Sequence, residues 1–138
     1  MTTDHHKKVF LGGTCNGSHW REALRPLLHM DVYDPQADDW TEDQYEEELK
    51  QRTQCDFLLY VITPKMEGVY SIAEVVEDSH AYPSRVYVCF LQEDEGRMFT
   101  AAQEKSLQAV ARLLQWHGVT CYHTLPEVAA ALNRALEG

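Results

Sequence analysis

"CDFLLYVITPKMEGVYSIAEVVEDS", residues 55–79, contains an apolar run that stops at Pro64, a loop through Gly68, and a helical pattern carrying Glu74. The run from Asp56 to Pro64 is apolar almost throughout, as expected of a strand covered by helices on both faces of a parallel sheet. The segment from Ser71 to His80 has helical spacing. Working outward, the same alternation fills the chain. Further strands read from Lys8 to Gly13, Met30 to Pro35, Arg85 to Leu91 and Val119 to His123. Further helices read from Ser18 to Leu28, Thr41 to Gln54, Thr100 to His117 and Leu125 to Leu136. Leu107, Val110, Ala111 and Leu114 recur at helical spacing and are assigned to the core.

Five βα units joined by right-handed crossovers predict an α/β fold, a flavodoxin-like doubly wound five-stranded parallel sheet of order 2-1-3-4-5. In such a sheet a ligand sits outside the carboxyl ends of the strands where the winding reverses, between the first and third strands. Two loops meet there, Gly12 to Ser18 and Pro64 to Ser71, with Tyr33 to Trp40 nearby.

A chain of 138 residues with 44% hydrophobic and 25% charged content suits one domain with a single core, residues 1–7 forming a polar leader that carries His5 and His6. The formal net charge of -10, from 22 acidic and 12 basic side chains, argues against a nucleic-acid partner. No apolar run approaches the roughly 20 residues needed to cross a bilayer, so the expected location is the cytoplasm, without a membrane partner. Cys15, Cys55, Cys89 and Cys121 form no C-x-x-C pair, which leaves neither a zinc site nor a disulfide framework.

Ser71-x-x-Glu74 fits a capping box, and Thr41-x-x-Gln44, Thr100-x-x-Gln103 and Thr124-x-x-Glu127 repeat the pattern at other helix starts. Glu74 is equally a carboxylate in a first helical turn at the mouth of the expected crevice, and so a candidate nucleophile. Both readings stand at this point. "GGTCNGS", residues 12–18, lacks the Lys-Ser/Thr end of a Walker loop and is not G-x-G-x-x-G. Its glycines, Gly12 and Gly13, with Asn16, could bring backbone close to a ligand, or form a plain turn with Ser18 as helix cap and Cys15 as a small filler. Most acids of residues 38–51 read as solvated helix face, but Asp38, Asp39 and Trp40 precede the helix, where an indole could stack on a flat ring while an aspartate meets its edge. Tyr70 flanks either the core or that pocket. A phosphoacceptor reading fails because the first strand ends in glycines, not paired acids for magnesium.

Together, "FLGGTCNGSHWRE", "DPQADDWT" and the opening stretch resemble the nucleoside 2-deoxyribosyltransferase-like family over roughly Val9 to Leu91. The resemblance implies a nucleoside and a nucleobase as ligands, a glutamate nucleophile at Glu74, and chemistry without metal or redox cofactor. It implies base contacts from Asp38, Asp39 and Trp40, a second acid at Glu48, and a homo-oligomer, dimer or larger, while Gly68 and Tyr70, in the loop entering the helix, are further candidate substrate contacts. The transferases resembled carry an aspartate where this chain has Gly68 and a tyrosine where it has Phe10. More distant relatives hydrolyse nucleoside monophosphates or NAD, and a binding module without turnover is the reading from another class. No obvious phosphate-binding Lys or Arg stands near the loops, which disfavours phosphorylated substrates.

Overall fold

The computed structural model describes residues 7–15, 17–35 and 41–137. In chain order the elements are β1 (Lys8–Gly13), α1 (Trp20–Leu24) running into a 3-10 turn (Arg25–Leu27), β2 (Asp31–Tyr33), α2 (Glu42–Gln54), β3 (Phe57–Ile62) and α3 (Tyr70–Ala81). There follow β4 (Val86–Phe90), β5 (Glu93–Asp94), β6 (Arg97–Met98), α4 (Ala101–Trp116), β7 (Cys121–Tyr122) and α5 (Leu125–Glu137).

The main sheet has the order β2-β1-β3-β4-β7, all parallel, which is the expected flavodoxin-like 2-1-3-4-5 arrangement with a hairpin inserted before the last strand. β3 is central, as its unbroken apolarity required. Its side chains alternate between two cores: Leu58, Tyr60 and Ile62 face the layer containing Val75, Leu107 and Leu114, while Leu59 and Val61 face Trp20, Leu24, Val128 and Leu132. Each fully buried leucine there contributes about 1.5–3 kcal/mol, so both faces of this strand contribute to stability. Val110 and Ala111 pack partly buried against the first core, as their spacing foretold.

Two local expectations are corrected. The first helix does not run from Ser18 to Leu28: α1 has five residues, and Pro26, lacking an N–H, turns the chain into the 3-10 turn. Ser18 is not its cap, because His19 holds that position without a side-chain bond and the Ser18 hydroxyl donates instead to Asp94 Oδ2 at 2.5 Å. The β5–β6 hairpin has no counterpart in the sequence reading. It closes on Glu95 and Gly96, whose φ angles of 50° and 86° are the paired positive values of a tight hairpin turn. The expected leader falls on residues 1–6, outside the described residues, and on Lys7, whose carbonyl accepts from Asp31 N at 3.1 Å.

Candidate active site

The carboxyl ends of β1 and β3 are stitched together. Thr14 N donates to Val61 O at 2.9 Å, and Thr63 N donates to the Thr14 hydroxyl at 2.9 Å. Gly13 is forced by this closeness: its φ is +119°, and a Cβ there would lie 2.0 Å from Val61 O. Gly12 makes room for a neighbour, since its Cβ would lie 2.6 Å from the Tyr60 ring. The carbonyls left free where β1 ends are taken by buried Trp20 and Arg21: the indole N–H and Arg21 Nη1 each donate to Thr14 O at 2.8 Å, and Arg21 Nη2 to Leu11 O at 3.0 Å. The Trp-Arg pair of "SHWRE" therefore closes the strand end. The hairpin covers this loop from outside, where Lys65 Nζ donates to Gly17 O at 3.0 Å and to the Glu95 carboxylate, and His19 Nδ1 lies 3.2 Å from Glu95 Oε1.

Glu74 is not a helix cap. α3 begins at Tyr70 with Val69 in the cap position and no side-chain cap bond, so Ser71 falls inside the first turn. The device does form elsewhere: Thr41 with Gln44 and Thr100 with Gln103 make reciprocal boxes, and the Thr124 hydroxyl accepts from Glu127 N at 3.2 Å. Glu74 instead points at α2 and is 7% exposed. Its carboxyl is hydrogen-bonded with that of Glu48, and its Oε2 stands 3.5 Å from Arg52 Nη1, an ion-pair separation, accepting no hydrogen bond. Glu48 and Arg52 are four residues apart on α2, and Glu74 and Asp78 four apart on α3, so each pair lies on one helix face and the two faces meet.

Behind Glu74 the contacts tighten. Asp78 takes Arg52 Nη2 at 2.9 Å on Oδ1 and Arg52 Nε at 3.2 Å on Oδ2, and Oδ2 also receives the Tyr60 hydroxyl at 2.5 Å. Glu77 takes a further bond from Arg52 Nη2 at 2.9 Å. Two buried carboxyls, those of Glu74 and Asp78, thus face one guanidinium, and half-buried Glu48 joins them through Glu74. Burial first, then the hydrogen bond and charge of Glu48, push Glu74 up to about 8, with Asp78 adding to the rise and Arg52 opposing it. Burial works against the Arg52 charge, but bonds to Asp78 and Glu77 outweigh it and raise its proton affinity. The Glu74 carboxyl therefore keeps its proton to higher pH than an ordinary glutamate, one hydrogen bond away from a second carboxyl.

Of the residues singled out from sequence, Glu74 and Glu48 are brought together. Tyr70 opens α3 at 57% exposure, with its acidity weakened by partial desolvation and then by the field of Glu74, and it hydrogen-bonds with Tyr45 of α2. Gly68 is exposed with nothing within 4 Å of where a Cβ would stand. Gly12 and Gly13 are accounted for by strand packing. Asn16, Asp38, Asp39 and Trp40 lie outside the described residues. Phe10 is fully buried, its ring stacked on Tyr33 at 5.8 Å. Sequence reasoning missed Arg52, Asp78, Tyr60 and Tyr45; the four-residue spacing from Glu74 to Asp78 was the available signal. A cavity of about 370 Å³ lies elsewhere, over the carboxyl ends of β4 and β7, lined by Phe90, Phe99, Leu107 and His123 among others. None of its lining residues belongs to the carboxyl cluster.

Among the described residues no helix is long and apolar enough to cross a membrane. No curated protein matches the chain. The family model described as "nucleoside 2-deoxyribosyltransferase like" matches residues 6–94, a span holding β1, α2, β3 and α3 with the whole Glu48–Arg52–Glu74–Asp78 cluster. Membership points to an enzyme of glycosyl transfer or hydrolysis acting on a small nucleoside. The chain belongs to the nucleoside 2-deoxyribosyltransferase-like family.

Proposed function

We propose that the protein cleaves, and transfers at, the N-glycosidic bond of 2-deoxyribonucleosides through a covalent glycosyl-Glu74 intermediate. The observation that carries this reading is the environment of Glu74: a buried carboxyl, free of any capping duty, that is hydrogen-bonded with Glu48 and stands beside Arg52. A solvated helix acid would have none of these partners.

The reaction follows from the pair. Ionised Glu74 attacks the anomeric carbon while the bond from that carbon to the base nitrogen breaks, its electrons going to the base. The proton held in the Glu48–Glu74 hydrogen bond passes by way of Glu48 to the departing base. The product is a glycosyl ester on Glu74 and a free base. A second base, or water, then attacks the same carbon, gives its proton to Glu48 and releases Glu74 as carboxylate. Two inversions retain the anomeric configuration. Tyr70, Gly68 and Asn16 are the further candidates for substrate contact, and Asp38, Asp39 and Trp40 those for the base.

The test is incubation with deoxyinosine and free adenine, following nucleosides by chromatography. Deoxyadenosine formed at the expense of deoxyinosine is the expected result, and free deoxyribose alone would convert the reading to hydrolysis. Absence of base release from every deoxynucleoside by folded protein overturns it. Brief exposure to a 2-fluorinated deoxynucleoside should leave a sugar adduct on the peptide containing Glu74.

A further inference from the structure

The geometry points to Arg52 as the positioning residue that sets which carboxyl of the Glu48–Glu74 pair carries the proton, with Asp78 and Tyr60 holding its guanidinium in place for that task. The inference rests on the nucleophile reading of Glu74 and adds to it the group that weakens the nucleophile's hold on its proton.

The guanidinium is divided in its commitments. Nε and Nη2 are taken by Asp78, at 3.2 and 2.9 Å, and Nη2 also by Glu77 at 2.9 Å. Nη1 faces Glu74 Oε2 at 3.5 Å, and that oxygen is buried without a hydrogen bond. A donor and an acceptor of opposite charge therefore stand a few tenths of an ångström outside bonding distance. While Glu74 keeps its proton the gap remains. When the proton leaves Glu74 toward Glu48, a short movement closes an Arg52–Glu74 charge-assisted bond. Arg52 thereby favours one arrangement of the pair, with Glu74 anionic and Glu48 acidic, which is the arrangement glycosyl transfer needs.

What prevents the guanidinium from turning to Glu48 is its fork on Asp78. A bidentate carboxylate fixes the plane of the guanidinium as well as its position. Asp78 is fixed in turn by the Tyr60 hydroxyl at 2.5 Å, and Tyr60 stands in the central strand with its ring over Gly12. The charged and titratable groups facing Glu74 are thus Glu48 and Arg52 from α2, Asp78 and Tyr70 from α3, and Tyr60 from β3. Among these Arg52 is the cation.

The experiment is the pH titration of the Glu74 carboxyl by 13C NMR in otherwise unmodified protein, wild type against Arg52→Met. The expected result is a rise of the Glu74 midpoint by about one pH unit, a tenfold tighter hold on its proton, together with a lower kcat at unchanged KM. An unchanged or lowered midpoint overturns the inference. Should the Met variant fail to fold, Arg52→Lys keeps the charge that Asp78 needs but loses the fork. A smaller rise is then expected, and no rise is equally fatal. Failure of the parent reading is distinct: Glu74→Gln would retain base release, whereas the titration decides Arg52 regardless of turnover.

Discussion

Replacing Glu74 with glutamine should make the protein more stable, and only above a particular pH. In the unfolded chain the carboxyl ionises near its ordinary 4.5, whereas in the folded protein burial and Glu48 hold the proton up to about 8. Below about 4.5 the group is neutral in both states and the amide should match wild type. Between those values the unfolded chain gives up a proton that the folded chain keeps, so wild type loses stability as pH rises while the variant does not. Above about 8 both states are ionised and the difference levels off. The span is about three and a half pH units at about 1.4 kcal/mol each, a ceiling near 5 kcal/mol. Rearrangement that brings water to the carboxylate lowers it to about 2–4 kcal/mol. The amide can turn its oxygen to Arg52 and its NH2 to Glu48, so no new polar group is stranded. Urea unfolding at pH 4, 6, 7.5 and 9, followed by fluorescence of tryptophans that include buried Trp20, reads the difference directly. A stability difference that stays flat across this series, or a variant weaker than wild type at pH 9, would refute the account of Glu74 as a buried, proton-sharing acid.

Base release should follow a bell-shaped pH profile whose alkaline limb falls near pH 8, where the pair loses its last proton, and Glu48→Gln should be slower with that limb abolished; kcat/KM from pH 5 to 10 checks it, and activity still climbing above pH 9 contradicts it. Tyr60→Phe removes the 2.5 Å bond to Asp78 and should lower stability by about 1.5–3 kcal/mol in denaturant titration. Gly13→Ala, whose Cβ would lie 2.0 Å from Val61 O on a backbone of φ +119°, should cost more than about 3 kcal/mol, whereas Gly68→Ala, with nothing within 4 Å, should stay within about 0.5 kcal/mol and act on KM alone.

The fold was legible because one strand declared its position. An apolar run such as Phe57–Ile62 is stable only where helices cover both faces, and that condition, with alternating βα units and right-handed crossovers, determines strand order. What escaped were features too short to carry a period. The strands of the 93–98 hairpin have two residues each, too few for alternation to appear, and their turn uses Glu95 where asparagine or aspartate would have advertised it. The truncation of α1 was written in the sequence at Pro26, and the apolar residues on either side masked it.

The site divides differently. Glu74 could be singled out from its place after the third strand, but its rival reading as part of a capping box failed by two residues, since Val69 holds the cap position and Ser71 lies inside the helix. Arg52 and Asp78 could not be found, because a charge in a polar helix such as 42–54 is ordinarily a solvated charge and one sequence does not say which helix faces another. Tyr60 was hidden among the apolar residues of β3, where its hydroxyl has no pattern of its own. Burial of these three is what departs from local rule. Placing three carboxyls and one guanidinium between two helices sacrifices stability that leucines at the same positions would supply. That arrangement beside the central strand leaves one carboxyl oxygen of Glu74 without a hydrogen bond, and this is the departure from local rule that the proposed transfer would account for.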